Sequence, residues 1–344
     1  MKKKTFCYAG MLLCLLLSVA IGLRRERNVQ NRFVLHAGHM FADEIRPIKE
    51  RHIPVQKIEK GANHINLRLG ETVKIDAKAM PENVTNPKLL YRAANKKYLT
   101  VDEKGMLTAK RAGVMKLTKV IVTAAENGKK ATISVRILPK IDPKKKMIAL
   151  TFDDGPNLTS NHRIADIFYK HQSAATFFVL GSLMGNEPAK NEVKRTMLLG
   201  NEIGSHTQNH RKLTSLPLKS LRSEIKQTAD MIKSITGAEP KLLRPPYGAY
   251  NETVLKESNA PVIMWSIDTL DWKSRNAGAI CRRVMASAAD GKIVLMHSIY
   301  EETLSAVDYL VPRLKKKGYQ LVTVSELYRY KKKQLLKNHS YNGF

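Results

Sequence analysis

The sequence predicts a multidomain chain. Its larger part is an irregular (β/α) barrel of about seven parallel strands, preceded by a small all-β sandwich and an N-terminal membrane segment. Three observations predict it. From Met147 onward, short apolar runs alternate with amphipathic helical stretches, the pattern of a parallel sheet covered on both faces. Five of those runs end in polar residues able to do chemistry; an open sheet would spread five strand ends over about 20 Å, whereas a closed one gathers them. Between residues 55 and 140 the period is two, with turn residues between the runs.

Composition sets the outer bounds. A chain of 344 residues has room for two domains at ~150 residues each. Hydrophobic residues at 43% and charged residues at 26% exclude a mainly disordered chain. The net charge of +29 favours polyanionic surroundings without choosing between nucleic acid, anionic lipid and an anionic cell wall. Three cysteines, Cys7, Cys14 and Cys281, exclude a disulfide framework and a cysteine-built zinc site.

The N-terminus bears on compartment. Lys2, Lys3 and Lys4 precede an uncharged stretch of 19 residues, 5–23, and Arg24 and Arg25 follow at once. That is close to the ~20 residues of a membrane-spanning helix. Residues 1–23 read as a signal peptide cleaved after Ala20 or as an uncleaved anchor, and the length and abrupt arginines favour the anchor. Either reading places the bulk of the chain outside the cytoplasm, anchored to the membrane or secreted, so nucleic acid drops out as a partner. Residues 24–54 read as a stalk and 331–344 as a basic, solvated tail. Residues 53–140 alone carry +11, a charge aimed at anionic wall polymers and the outer lipid surface.

In the β-like region Ile65, Leu67 and Leu69 alternate, then Val73, Ile75 and Ala77, and later Ile133, Val135 and Ile137. This predicts a small antiparallel sandwich. The segments LGETV (69–73), MPEN (80–83), Asn95, VDEKGMLTA (101–109), Ala112-Gly113 and NGKKAT (127–132) resemble the bacterial immunoglobulin-like domains of group 2 over about residues 55–138. The resemblance implies a spacer or a polysaccharide-binding module.

Beyond Pro139 and Pro143, apolar runs predict strands at 147–152, 175–180, 202–205, 242–244, 262–267, 293–296 and 321–324. Leu218, Leu221, Ile225, Ile232 and Ile235 mark one helix face closed by Gly237, and Leu304, Val307, Val311 and Leu314 another ending at Gly318.

His206 and His210 are four apart, so one helical turn would put both imidazoles on one side, able to share a metal. With a carboxylate from Asp153 or Asp154 they make three ligands and an open position, the design of a catalytic zinc site, although the same donors also suit non-haem iron. If Asp154 binds metal, Asp153 is left to take a proton, provided a cation such as Arg244 holds it ionised. His297 is then free to act as an acid and Asp271 to hold its ring. The reaction class is metal-assisted hydrolysis of an acyl group.

Residues 147–328 resemble the polysaccharide deacetylases, the NodB-homology or carbohydrate esterase family 4 domain. TFDDGP (151–156), HTQNH (206–210), RPPY (244–247), DTLDW (268–272) and LMH (295–297) occur in the family's order, with ATFFVLG (175–181) and EIG (202–204) beside them. The resemblance implies that Asp153 is the base and that Asp154, His206 and His210 bind a divalent metal, usually zinc and sometimes cobalt or another ion. It implies that Arg244 orients Asp153, that Asp271 tunes His297 as the acid, and that the Tyr247 backbone N–H helps stabilise the oxyanion. Trp272 and Leu295 would line a pocket for the acetyl methyl, with Pro246 also among the substrate-binding residues. Ser298, where an aspartate is frequent, is expected to tune His297 modestly. The family domain is expected over 147–330.

An export segment, an Ig-like spacer and such a domain together resemble wall enzymes that deacetylate N-acetylglucosamine in peptidoglycan. Rival substrates are chitin-like oligomers, an exopolysaccharide or acetyl-xylan. A rival of another class is a non-catalytic wall-binding adhesin or scaffold.

Overall fold

The computed structural model describes residues 51–111 and 117–344. The expected membrane segment and most of the stalk lie outside the described residues, within which no helix is long and apolar enough to cross a membrane.

The all-β part holds β1 (Lys57–Lys60), β2 (His64–Arg68), β3 (Thr72–Lys74), β4 (Ala77–Met80), β5 (Leu89–Ala93), β6 (Leu99–Val101), β7 (Met106–Ala109), β8 (Leu117–Ala124) and β9 (Lys130–Leu138). One sheet runs β2–β9–β8–β5, a second β3–β7–β6, and β1 pairs with β4. Alternate residues explain the packing: Val120 and Val122 of β8 and Ile133, Val135 and Ile137 of β9 are buried in one core with Leu99 and Leu107. Two expectations need correction. The sheets are not wholly antiparallel, because β2 runs parallel to β9, from His64 beside Ser134 to Arg68 beside Leu138. Alternation reports which face is buried and is silent on a neighbour's direction. The run Val73–Ile75–Ala77 is also not one strand: it bends between β3, which pairs with β7, and β4, which pairs with β1.

The second part alternates strands and helices: β10 (Met147–Gly155), α1 (Ser160–Lys170), β11 (Thr176–Val179), α2 (Glu187–Leu198), β12 (Glu202–Ser205), α3 (Leu218–Thr236), α4 (Glu252–Glu257), β13 (Val262–Ile263), β14 (Ile267–Asp268), α5 (Asp271–Ser274), α6 (Ala277–Ser287), β15 (Lys292–His297), α7 (Glu301–Lys316), β16 (Gln320–Leu321), α8 (Val324–Tyr330) and β17 (Ser340–Tyr341). The parallel order is β12–β11–β10–β15–β14, with β16 against the start of β10. Past β12, single bridges from Ser205 to Leu243 and from Leu243 to Val262 carry the ring on to β13. From β10 through β12 to β13, and from β14 through β15 back to β10, neighbours follow chain order; β16 and β17 do not, lying instead against β10 and β13.

The apolar runs are apolar throughout because both faces are buried. Ile148, Leu150 and Phe152 of β10 pack outward with Phe168 and Phe177, the Phe152 and Phe177 rings stacking at 5.0 Å. Met147 and Ala149 belong to a second cluster with Phe178, Ile263 and Ile293. Helix α3 ends as the sequence predicts, with Gly237 at φ 83° supplying the left-handed cap.

Some strand expectations are corrected. Residues 262–267 form two strands, not one, and 242–244 contribute a bridge at Leu243 only. The run 321–324 stops after Leu321, because Thr323 and Glu326 form a capping box that starts α8. The tail is not simply a solvated end: β17 pairs in parallel with β13, and Gly343 bridges to Lys292, so the tail ties β13 to β15.

The two parts touch through a buried ion pair. Arg68 of β2 is 1% exposed, and its Nε and Nη2 each donate to the Glu326 carboxylate at 2.7 Å. Arg136 Nε donates to the Leu198 carbonyl at 2.6 Å, and Tyr330 donates its hydroxyl to Glu71.

Candidate active site

Five segments converge at the carboxyl ends of the strands. Asp153 lies on β10 and its Oδ1 accepts from Arg244 Nη1 at 2.8 Å. Both side chains are nearly sealed from solvent, at 4% and 0% exposure. Every nitrogen of the guanidinium donates a hydrogen bond. Its Nη1 also donates to Thr151 Oγ1 at 2.7 Å, Nε to the Ile263 carbonyl at 3.0 Å and Nη2 to the Met264 carbonyl at 3.1 Å. The break between β13 and β14 therefore has a use: Ile263 and Met264 turn carbonyls to Arg244. Its planar face lies 4.3 Å from the centroid of Phe178. Phe178 in turn needs Gly204, where an added Cβ would sit 2.6 Å from the ring.

Asp154, His206 and His210 each offer a ligand atom within 4.8 Å of one another. Asp154 Oδ1 lies 3.5 Å from the Nε2 atoms of both imidazoles. His206 Nδ1 donates to the Arg244 carbonyl at 2.7 Å, which leaves the Nε2 lone pair for a ligand. Burial, then the neighbouring His206, holds the His210 pKa below the usual histidine value, which favours its neutral ring. Asp154 Oδ1 is buried with no hydrogen-bond donor. A buried, donorless carboxylate oxygen facing two basic nitrogens is costly without a cation, so the three residues fit a divalent metal.

The expected helical turn between the two histidines is absent. Residues 206–210 form a loop in which Thr207 and His210 take positive φ, 73° and 54°. Glu224 of α3 shapes it: its carboxylate accepts from the Asn209 backbone at 2.8 Å and side chain at 2.9 Å, and its carbonyl from Gln208 N at 3.0 Å. Bringing the rings to a centroid distance of 5.1 Å is thus the work of a buried glutamate.

Across the β10–β15 ladder stands His297, whose Nδ1 donates to Asp271 Oδ1 at 2.8 Å. Asp271 Oδ2 also accepts from the His297 backbone N–H and the Thr303 hydroxyl, both at 2.7 Å, and Oδ1 from Trp272 N at 2.9 Å. Burial pushes the Asp271 carboxyl up, but the hydrogen bond and charge of His297 and the Thr303 hydroxyl outweigh it and hold it below the usual range. Burial pushes His297 down, yet the hydrogen bond and charge of Asp271, with Asp153 and Asp154 behind, raise it above the ordinary histidine value. The protonated imidazole thus persists to higher pH than in a free histidine.

Ser298, expected to tune His297, makes its hydrogen bonds to the Asp153 backbone. It is buried, and its N–H and hydroxyl donate to the Asp153 carbonyl at 3.0 and 3.2 Å, fastening the end of β10. Tyr247 occupies a tight turn at φ 61°, its ring 4.7 Å from that of His210 and 68% exposed. Pro246 beside it is buried, Leu295 is 4% exposed, and Trp272 stands half in solvent. Glu224 and Thr303 were not singled out from the sequence, and Thr151 entered only as the first residue of TFDDGP. Each supports a motif residue from a separate segment.

Known proteins resemble this chain over its second part. Residues 140–261 match the family model described as polysaccharide deacetylase. The peptidoglycan-N-acetylmuramic acid deacetylase PdaC of Bacillus subtilis (strain 168) is 43% identical over 200 residues, 57% of this chain and 42% of the relative. The chain therefore spans less than half the length of that protein. A peptidoglycan-N-acetylglucosamine deacetylase of Bacillus cereus is 35% identical over 200 residues, 56% of this chain and 92% of the relative. The solved structure of a family 4 acetyl xylan esterase from Clostridium thermocellum, in complex with a cobalt ion, aligns with a TM-score of 0.55 at 30% identity, covering 58% of this chain and 98% of that one. A relative matched along nearly its whole length places this chain in the polysaccharide deacetylase family.

Proposed function

We propose that this protein is a metal-dependent hydrolase that removes N-acetyl groups from peptidoglycan, most directly from N-acetylglucosamine, releasing acetate and a free amine. The observation that carries the reading is the buried, donorless Asp154 Oδ1 facing two imidazole nitrogens, with an arginine-held carboxylate on one side and an aspartate-held histidine on the other. Relatives whose names specify glucosamine or muramic acid units of peptidoglycan, at 35% and 43% identity, support the substrate class.

Asp154, His206 and His210 would hold the ion. A bound divalent metal, zinc or cobalt, supplies acidification of a water and polarisation of the amide carbonyl. Asp153 accepts the proton as the water oxygen attacks the acetyl carbon, its negative charge kept by Arg244. The Tyr247 N–H donates to the oxyanion that develops. His297, protonated through its pairing with Asp271, gives its proton to the sugar nitrogen as the carbon–nitrogen bond breaks. Trp272 and Leu295 flank the acetyl methyl, with Pro246 shaping the same turn as Tyr247.

We also propose that residues 1–23 hold the chain to the outer face of the cell membrane and that the all-β part is a group 2 Ig-like module. Its charge keeps the enzyme near anionic wall polymers. The lysines and uncharged run at the N-terminus and the +11 of residues 53–140 support this.

The test is acetate release by the metal-loaded protein from purified peptidoglycan, chitin oligomers and acetyl-xylan. Release is expected fastest from peptidoglycan. No release from any of them would overturn the enzymatic reading, and a preference for acetyl-xylan would overturn the substrate.

A further inference from the structure

Next to the metal-binding triad a cavity of about 800 Å³ opens, lined by His210, Arg211, Lys212, Ser215, Leu216 and Tyr247. Two of the six are cations, both exposed, and no acidic side chain lines the space. Their backbone is well held. Ser215 returns its N–H and hydroxyl to the Lys212 carbonyl at 3.2 and 2.8 Å, and Leu213, 1% exposed, anchors the loop in a cluster with Leu221 and Val254. The cations thus start one residue past a metal ligand, on a pinned turn, beside the exposed Tyr247 ring.

A neutral sugar polymer would gain nothing from two cations without an acidic neighbour. A glycan carrying carboxylates would, because opposite charge across a binding surface selects one partner over another. Arg211 brings a planar fork suited to a carboxylate and Lys212 a mobile point charge. We propose that this cavity is a subsite for a carboxylate on the sugar or peptide adjoining the reacting N-acetyl group, and that it sets preference for anionic over neutral glycans. The proposal rests on the peptidoglycan reading above and deepens it.

The carboxylate has two sources, the lactyl ether of a muramic acid unit or the attached stem peptide. The experiment compares the metal-loaded protein with Arg211→Gln/Lys212→Gln and Arg211→Glu/Lys212→Glu on three substrates. These are peptide-bearing glycan strands, strands stripped of peptide by an amidase, and neutral N-acetylglucosamine oligomers. Thermal melting checks folding separately. In the glutamine pair the ratio of kcat/KM on anionic strands to that on neutral oligomers is expected to fall about tenfold, through KM rather than kcat. The glutamate pair should lower it further, and added salt should shrink both effects. A fall on stripped strands identifies the lactyl carboxylate; a fall confined to peptide-bearing strands identifies the peptide. An unchanged ratio in folded variants overturns the subsite while leaving the substrate reading intact. No acetate from either anionic strand with the unaltered protein overturns the substrate reading and this proposal with it.

Discussion

Asp153 and His297 are register partners on adjoining parallel strands, β10 and β15. The two are governed separately. Arg244 holds Asp153 from one side of the ring, and Asp271 holds His297 from the other. The proposed base and acid thus share one hydrogen-bonded ladder, which fixes the spacing of their backbones.

Asp153→Asn keeps the shape of the side chain and removes its basicity. Metal content by elemental analysis should stay at one ion per chain while acetate release falls at least ~100-fold, the low end for loss of a general base. Normal turnover would remove Asp153 from that role.

His206→Ala removes one ligand and the contact to the Arg244 carbonyl. Metal and activity should disappear together. In the unaltered protein a chelator should stop acetate release, and zinc or cobalt should restore it. Full activity with bound metal in the alanine variant would break the ligand assignment.

Asp271→Asn tests the acid. The aspartate raises the His297 pKa, so the protonated imidazole survives to higher pH than an ordinary histidine would. Activity that needs this proton is present below the raised value and lost as pH climbs through it. Without the aspartate charge the alkaline limb of the kcat profile should move to lower pH, and neutral-pH turnover should drop. A limb that stays in place would show that another group supplies the proton.

Glu326→Gln tests the join between the two parts. Burial pushes the Glu326 carboxyl up, but the charge and hydrogen bonds of Arg68 outweigh it and leave it below the usual value. The stability it contributes is complete above the unfolded value of about 4.3 and lost as pH falls through the lower folded one. The glutamine variant leaves Arg68 buried without its counter-charge and should cost about 3–5 kcal/mol at neutral pH. Replacing both residues by methionine should cost less than the two single losses combined, by denaturant melts. Additive losses would mean the pair is not coupled.

The chemistry was more legible than the scaffolding that holds it. Asp153, Asp154, His206, His210, Arg244, Asp271 and His297 announce themselves by type and by position at strand ends. Glu224 and Thr303 do not, because each reaches the site only through tertiary packing from a segment with its own ordinary periodicity, and Thr151, although inside TFDDGP, gives no sequence sign that it will hold Arg244. The direction of β2 beside β9 was likewise invisible, since alternation carries no sign. The histidine loop misled for a different reason: spacing of four suits a helix, but a buried glutamate and two left-handed residues bring the rings together equally well. The start of α8 was readable in Thr323 and Glu326, yet the apolar run preceding it suggested a strand.

Among the described residues, Asp154, Thr207, His210, Tyr247 and Leu270 all hold positive φ, at 68°, 73°, 54°, 61° and 52°. A non-glycine residue in that region carries strain of about 1–3 kcal/mol. Glycine would relieve it, so these positions are where an engineer seeking heat tolerance would look first. Three of them would surrender a metal ligand or the exposed ring beside the metal-binding cluster in exchange. Thr207 and Leu270 donate no side-chain atom to that cluster. Glycine there would relieve strain without removing a ligand, and Gln172, Asn259 and Arg275, also at positive φ, offer the same relief away from the cluster.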